Sequence, residues 1–221
     1  FGMTFDPGLA PTGIKASGGI INDYTEPTGN IYRAHIFTGT GTFSVSSLSV
    51  DANLPDALEY MCVGGGGGGG GPSDGNRGGG GGAGGFRSNF PSLPAPWRLP
   101  ALTAVVQDYP VTIGAGGAGN ITGNTFKGSD TSFNSPTAVI VKGSGGGGGG
   151  NRLNDPSPGS RPSNPKMTGG SGGGGGSGPG GGTGGQTEAA TDPYAPTHPV
   201  QGRSGAAGNG GAPEYGGGGG G

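Results

Sequence analysis

Residues able to do chemistry are few and far apart in this chain. Histidine occurs twice, at His35 and His198, and cysteine once, at Cys62. One thiol and two distant imidazoles supply no recognisable metal-ligand set, and the scattered acidic residues form no pair placed for acid–base work. Gly114-Ala-Gly-Gly-Ala-Gly119 fits the dinucleotide fingerprint and follows a strand-like segment. The fingerprint must open a helix whose N-terminus holds a pyrophosphate, and Asn120-Ile-Thr-Gly-Asn124 offers none. Asn120-Ile-Thr122 satisfies the N-glycosylation sequon, which matters only in a glycosylating host. The expectation is a protein that is not an enzyme, with no catalytic residue, no cofactor and no metal.

The remaining chemistry is that of the backbone. Glycine runs cover 64–71, 78–82, 145–150, 172–176, 180–182 and 216–221, the first an unbroken eight residues. Glycine makes poor helices and poor strands, since it loses the most backbone freedom and brings no side chain to pack. Two outcomes stay open for such runs: solvated disorder, or extended threefold helices of the polyproline II type that pair their amides with neighbours. Ordering one residue costs about 1–2 kcal/mol and a net hydrogen bond returns about 0.5–1.5 kcal/mol, so a lone run stays disordered in water. An extended threefold helix has no internal bonds and turns its N–H and C=O groups outward, so runs held side by side can order together. Cα–H···O contacts between closely approaching glycine backbones add to the gain. The expected bundle core comprises Gly64, Gly67, Gly71, Gly145, Gly150, Gly172 and Gly176.

Such a bundle needs a base that fixes where its runs start. Ile31 to Thr38 and Thr42 to Val50 are rich in β-branched and aromatic residues with Gly39-Thr-Gly41 between them, which predicts a hairpin. Leu58 to Val63 reads as a further strand, with Cys62 as a small buried hydrophobe. Tyr109, Val111 and Ile113 alternate on one face, Thr137 to Lys142 is a short apolar strand, and Leu102 to Val106 is a weaker candidate. His35 is expected packed or at the surface of its strand, beside Arg33. Two of these strands end within a few residues of a long glycine run, a placement a flexible linker does not need. The Pro-rich stretch from Pro91 to Pro100 favours the same extended helix and would flank the bundle, with Trp97 covering glycine surface. No window has helical periodicity. The fold class expected is all-β: a small antiparallel β-sandwich-like base with a bundle of polyglycine II helices and essentially no α-helix.

The division expected along the chain is an extended assembly segment over 1–30, a first part of the base over 31–63 and glycine runs with the Pro-rich flank over 64–101. A second part of the base follows over 102–144, then the glycine-run bundle with polar display loops over 145–221. Phe1, Met3 and Phe5 alternate with small residues, so an extended N-terminal segment could add to a neighbouring subunit's sheet edge. Arg152, Arg161 and Lys166 in one polar loop, and Tyr194 and His198 in another, are the side chains such loops would display.

Composition bounds the partners. Of 221 residues 62 are Gly and 20 are Pro, only 28% are hydrophobic, and 11% are charged with a formal net charge of −2. The core must be small, and binding to nucleic acid through a basic surface is not supported. No apolar run reaches the 18 or so residues of a membrane span, and no signal peptide is read. The chain starts at Phe1, as a processed protein or a segment of a longer one would.

Tyr32 to Val45, Leu58 to Gly64 running into glycine, Tyr109 to Gly119, Ser132-Phe133 and a further glycine block together resemble the glycine-rich domain of phage tail fibres and related virion or bacterial surface fibre proteins. The likeness spans about residues 31 to 182 and includes no catalytic motif. It implies a β base carrying a polyglycine II layer, at an extracellular or virion surface. Two roles remain: a self-associating subunit or module of a fibre, forming a homo-oligomer or filament, or a receptor-binding tip whose loops contact a host-surface glycan or protein.

Overall fold

The computed structural model describes residues 13–25, 27, 29, 31–52, 54–71, 77–94, 97–119, 125–150, 168–176, 187, 193–194, 201–209 and 217–221. Among them lie eleven β-strands and no helix: β1 Lys15–Ser17, β2 Ile20–Thr25, β3 Ile31–Ile36, β4 Gly41–Ser47, β5 Ala57–Leu58, β6 Met61–Val63, β7 Phe86–Ser88, β8 Leu102–Thr103, β9 Asp108–Thr112, β10 Thr131–Asn134 and β11 Val139–Gly143. Five of them form an antiparallel sheet in the order β1-β4-β9-β10-β11, and the rest pair as β2-β3, β5-β8 and β6-β7. The fold is all-β, as the strand-forming composition of these short segments requires.

The alternation read at Tyr109 and Val111 places both side chains in the core, with Phe43 and Val45 of β4 beside them. Phe43 pairs with Tyr109 across the two strands, and the Tyr109 ring stacks on Phe133 with centroids 5.0 Å apart. The Tyr109 hydroxyl accepts the Val105 amide at 2.9 Å, so its burial strands no polar atom. Ile14, Phe37, Leu58 and Ile140 pack around this cluster. A second cluster joins Cys62, Leu99 and Val141, with Tyr60 and Tyr194 against it. Cys62 is buried, as its apolar setting predicted.

Three expectations from the sequence are corrected here. The hairpin between Ile31–Thr38 and Thr42–Val50 does not form: β3 pairs with β2, and β4 pairs with β1 and β9. Pairing β4 with β9 is what lets Phe43 and Val45 meet Tyr109 and Val111, and that burial outweighs a local turn. Leu58 to Val63 is two strands rather than one. The Asn89 side chain sits at the break, accepting the Tyr60 amide at 2.9 Å and donating to the Leu58 carbonyl at 2.8 Å. The Pro-rich stretch is not one straight extended helix; it folds into turns closed by Leu93 N–H to Phe90 O and Trp97 N–H to Pro94 O. Among the described residues of that stretch, Leu99 is buried and Trp97 is half-buried.

Two strands lie before Ile31 where the sequence suggested none. β1 and β2 run on through Gly18 and Gly19, whose φ angles are 109° and 65°. A side chain at Gly18 would also meet the Thr42 carbonyl and the Phe37 ring. The β2–β3 ribbon beyond this bend leaves Ile20, Ile21, Tyr24, Ile31 and Ile36 exposed.

Candidate functional site: the glycine bundle and its anchor

The candidate site is built by the backbone of the glycine runs. The amides of Gly64, Gly67 and Gly70 donate to the carbonyls of Gly85, Gly82 and Gly79, at 2.8–3.0 Å. Those of Gly65 and Gly68 donate to Ser129 and Phe126, and their carbonyls accept from Gly146 and Gly149. Gly66 O accepts the Gly117 amide. Bonds to any one neighbour thus recur every third residue, and successive residues point to different neighbours.

The same rule holds for the other runs. Gly147 and Gly150 donate to Ser171 and Gly174, while Gly79, Gly82 and Gly85 donate to Gly150, Gly147 and Ser144. Gly172 and Gly175 donate to Arg203 and Ala206; Gly80 and Ala83 donate to Gly217 and Gly220. Taken together the pairings set eight segments in two stacked rows of four. The first row runs 114–119, 64–71, 78–85, 217–220. The second runs 125–129, 145–150, 168–176, 203–208.

Sterics explain why these segments lack side chains. A Cβ added at Gly64, Gly65, Gly67, Gly68 or Gly70 would come closer than 3.0 Å to the backbone of a neighbouring segment. The same is true at Gly145, Gly146, Gly149, Gly173 and Gly174. Close backbone approach is what only glycine permits. The whole of 145–150 and 169–176 is buried.

The bundle is tied to the sheet where β11 becomes glycine. Gln201, buried with Ser144, accepts the Ser144 amide at 2.8 Å through its side-chain oxygen and donates to Ser144 Oγ at 3.2 Å. Its own carbonyl accepts the Phe86 amide at 2.9 Å, so one residue links β7, β11 and the glycine rows. Next to it, Asp130 Oδ1 accepts the Gly145 amide at 2.9 Å and Oδ2 accepts Lys142 Nζ at 2.8 Å. Burial works to raise the Asp130 carboxyl, but the bonds from Lys142 and Gly145 and the Lys142 and Lys127 charges outweigh it, leaving the group below the usual carboxylate range. Asp23 is also held low, first by its hydrogen bond from Arg33, on the exposed β2–β3 ribbon. No group of three or more His, Cys, Asp or Glu that could hold a metal occurs among the described residues.

Residues 38–221 match the family model described as glycine-rich domain. The chain belongs to this family. No curated protein and no solved structure matches it.

Each residue singled out in this glycine-rich domain has a definite place or lies outside the described residues. Gly64, Gly71, Gly145, Gly150, Gly172 and Gly176 are buried in the two rows, and Gly67 is half-buried there. Tyr194 is half-buried against the Cys62–Val141 cluster. Phe1, Met3, Phe5, Arg152, Arg161, Lys166 and His198 lie outside the described residues. His35 bonds Gly18 O through Nδ1 at 2.7 Å and meets the Phe43 ring edge-on at 5.0 Å, a packed histidine as its strand position suggested. Gln201, Ser144, Asp130 and Asn89 were not foreseen. Only Asp130 carried a signal, a carboxylate and Lys142 flanking the strand that feeds a glycine run.

Proposed function

We propose that this glycine-rich domain is a non-enzymatic structural module, a self-associating subunit of an extracellular or virion fibre, in which polyglycine II helices form a rigid spacer. The observation that carries this reading is the three-residue repeat of hydrogen bonds joining eight segments. A threefold extended helix offers bonds in three directions, and interior segments that bond on several sides recover the entropy that a lone run cannot. At about 3.1 Å per residue the 64–71 run spans about 25 Å, a length suited to a stiff spacer. The low charge of the chain, −2 in 221 residues, suits close lateral association. Electron micrographs of the purified chain test it: regular filaments or a helical repeat support the reading, and dispersed particles under all conditions oppose it. In such a filament the N-terminal segment with Phe1, Met3 and Phe5 is the candidate strand donor, and removing residues 1–9 should then lower the oligomeric size seen by light scattering.

A second reading, a receptor-binding adhesin at a fibre tip, is favoured by the β2–β3 ribbon. Its Tyr24 and Tyr32 rings stack at 5.5 Å, and Tyr24 is exposed. Aromatic rings with a polar tip suit contact with glycans or proteins. The display loops carrying Arg152, Arg161, Lys166 and His198 belong to the same reading. Saturable binding to host cells that is lost in Tyr24→Ala, with the fold retained, would favour it over the spacer role alone.

A further inference from the structure

The two faces of the glycine slab differ. The two central segments of the second row, 145–150 and 169–176, are buried throughout, and Gly169 bridges in parallel to Thr187. The first row is open: Gly66, Gly69, Gly80, Ala83, Gly116 and Gly119 are exposed. No side chain on these six positions exceeds a methyl group.

Internal packing does not account for glycine at the centre of this face. A Cβ at Gly69 would meet nothing within 4 Å, and one at Gly66 only the Gly82 carbonyl at 3.9 Å. Neither position has a left-handed φ, so an L side chain is accommodated. Elsewhere the chain does carry side chains in comparable exposed places, as at Ala206 and Ala207. Glycine at 66 and 69 therefore costs conformational entropy without an intramolecular return.

The face also has unused bonding capacity at the spacing of the rows. The amides of Gly66 and Gly69 donate to none of the described residues, and the carbonyls of Gly67 and Gly70 accept from none of their amides. Donors and acceptors three residues apart are what the interior segments offer one another. Such a surface is complementary to itself turned over.

We propose that the outer face of the first row is a self-association surface, on which a second copy of this chain seats the same face about a twofold axis. The proposal deepens the fibre reading and rests on it. Four segments about 4.8 Å apart and about 20 Å long present about 400 Å² per copy, half of what a stable interface buries on each partner. The contact is therefore weak between isolated chains and dependent on concentration. An isologous contact closes a pair, so a fibre needs a second, different interface to grow.

The test is sedimentation velocity of the full chain over a wide concentration range, beside the Gly66→Glu/Gly69→Glu double variant, whose side chains start in open space. The proposal expects the parent chain to pair reversibly. It expects the double variant to associate at least about tenfold more weakly, because four carboxylates meet across the twofold, with the unfolding midpoint at neutral pH not lowered. A parent chain that stays monomeric, a double variant that pairs as well as the parent, or pairing that only deletion of residues 1–9 abolishes would each overturn it. Filaments that form equally well from the double variant would leave the fibre reading standing and remove this surface from it.

Discussion

The Asp130 carboxylate accepts the amide of Gly145 at 2.9 Å, and this bond fixes the first residue of a glycine run that is buried throughout. Lys142, three residues before Gly145, holds the other carboxylate oxygen at 2.8 Å. The strand β11 and the run it feeds are thus gripped by one side chain from the loop ahead of β10.

Because the folded Asp130 lies below its ordinary value, its contribution to stability is fully present above the unfolded carboxylate range near about 3.9. That contribution is lost as pH falls through the lower, folded value. Asp130→Asn should lower stability at neutral pH by less than about 1 kcal/mol, since the side chain is 38% exposed and solvent screens the pair. As pH falls below the folded value the variant and the parent should converge. Urea unfolding at several pH values reads both effects.

Replacing Gln201 with leucine leaves the buried Ser144 amide and hydroxyl without the side-chain partner each now has. The expected loss is about 1–3 kcal/mol per stranded group. Chemical denaturation measures it, with an unchanged slope indicating that the native fold persists.

Two neighbouring glycines should respond in opposite ways. In Gly67→Ala the new methyl meets the Gly147 carbonyl closer than 3.0 Å, which forces two rows apart and should cost about 1–3 kcal/mol. In Gly69→Ala the methyl enters open space, and the stiffer unfolded chain should make the protein about 0.4–1 kcal/mol more stable. Thermal unfolding of the pair decides whether packing, rather than composition, sets these positions.

Cys62 is buried and donates its thiol to the Thr131 carbonyl at 3.4 Å. A thiol reagent should therefore modify it only as fast as the protein opens, and the rate should rise steeply in denaturant. Prompt reaction under native conditions would mean that the Cys62–Leu99–Val141 cluster is not closed.

What could be read in advance follows from the range of the forces involved. The two-residue alternation at Tyr109 and Val111 is local and named a core strand correctly. The choice of β9 over β3 as the partner of β4 was not legible, because it depends on where Phe43 and Val45 find apolar neighbours 66 residues away along the chain (Phe43↔Tyr109). The glycine runs declared that backbones approach closely, yet not which run meets which. Gln201 stands in a polar segment that looks solvated, and only the assembled rows reveal that its amide reaches Ser144. The bend at Gly18 and Gly19 was hidden in the same way among many glycines, although its positive φ angles are what release β2 from the five-stranded sheet.

Residue-resolved amide exchange over 64–71 tests the bundle most directly. The account predicts a threefold pattern: slow exchange at Gly64, Gly65, Gly67, Gly68 and Gly70, which donate to neighbouring segments, and faster exchange at Gly66 and Gly69 in the dilute, unassociated chain. Uniformly fast exchange along the run, at the rate of an unstructured chain, would contradict it.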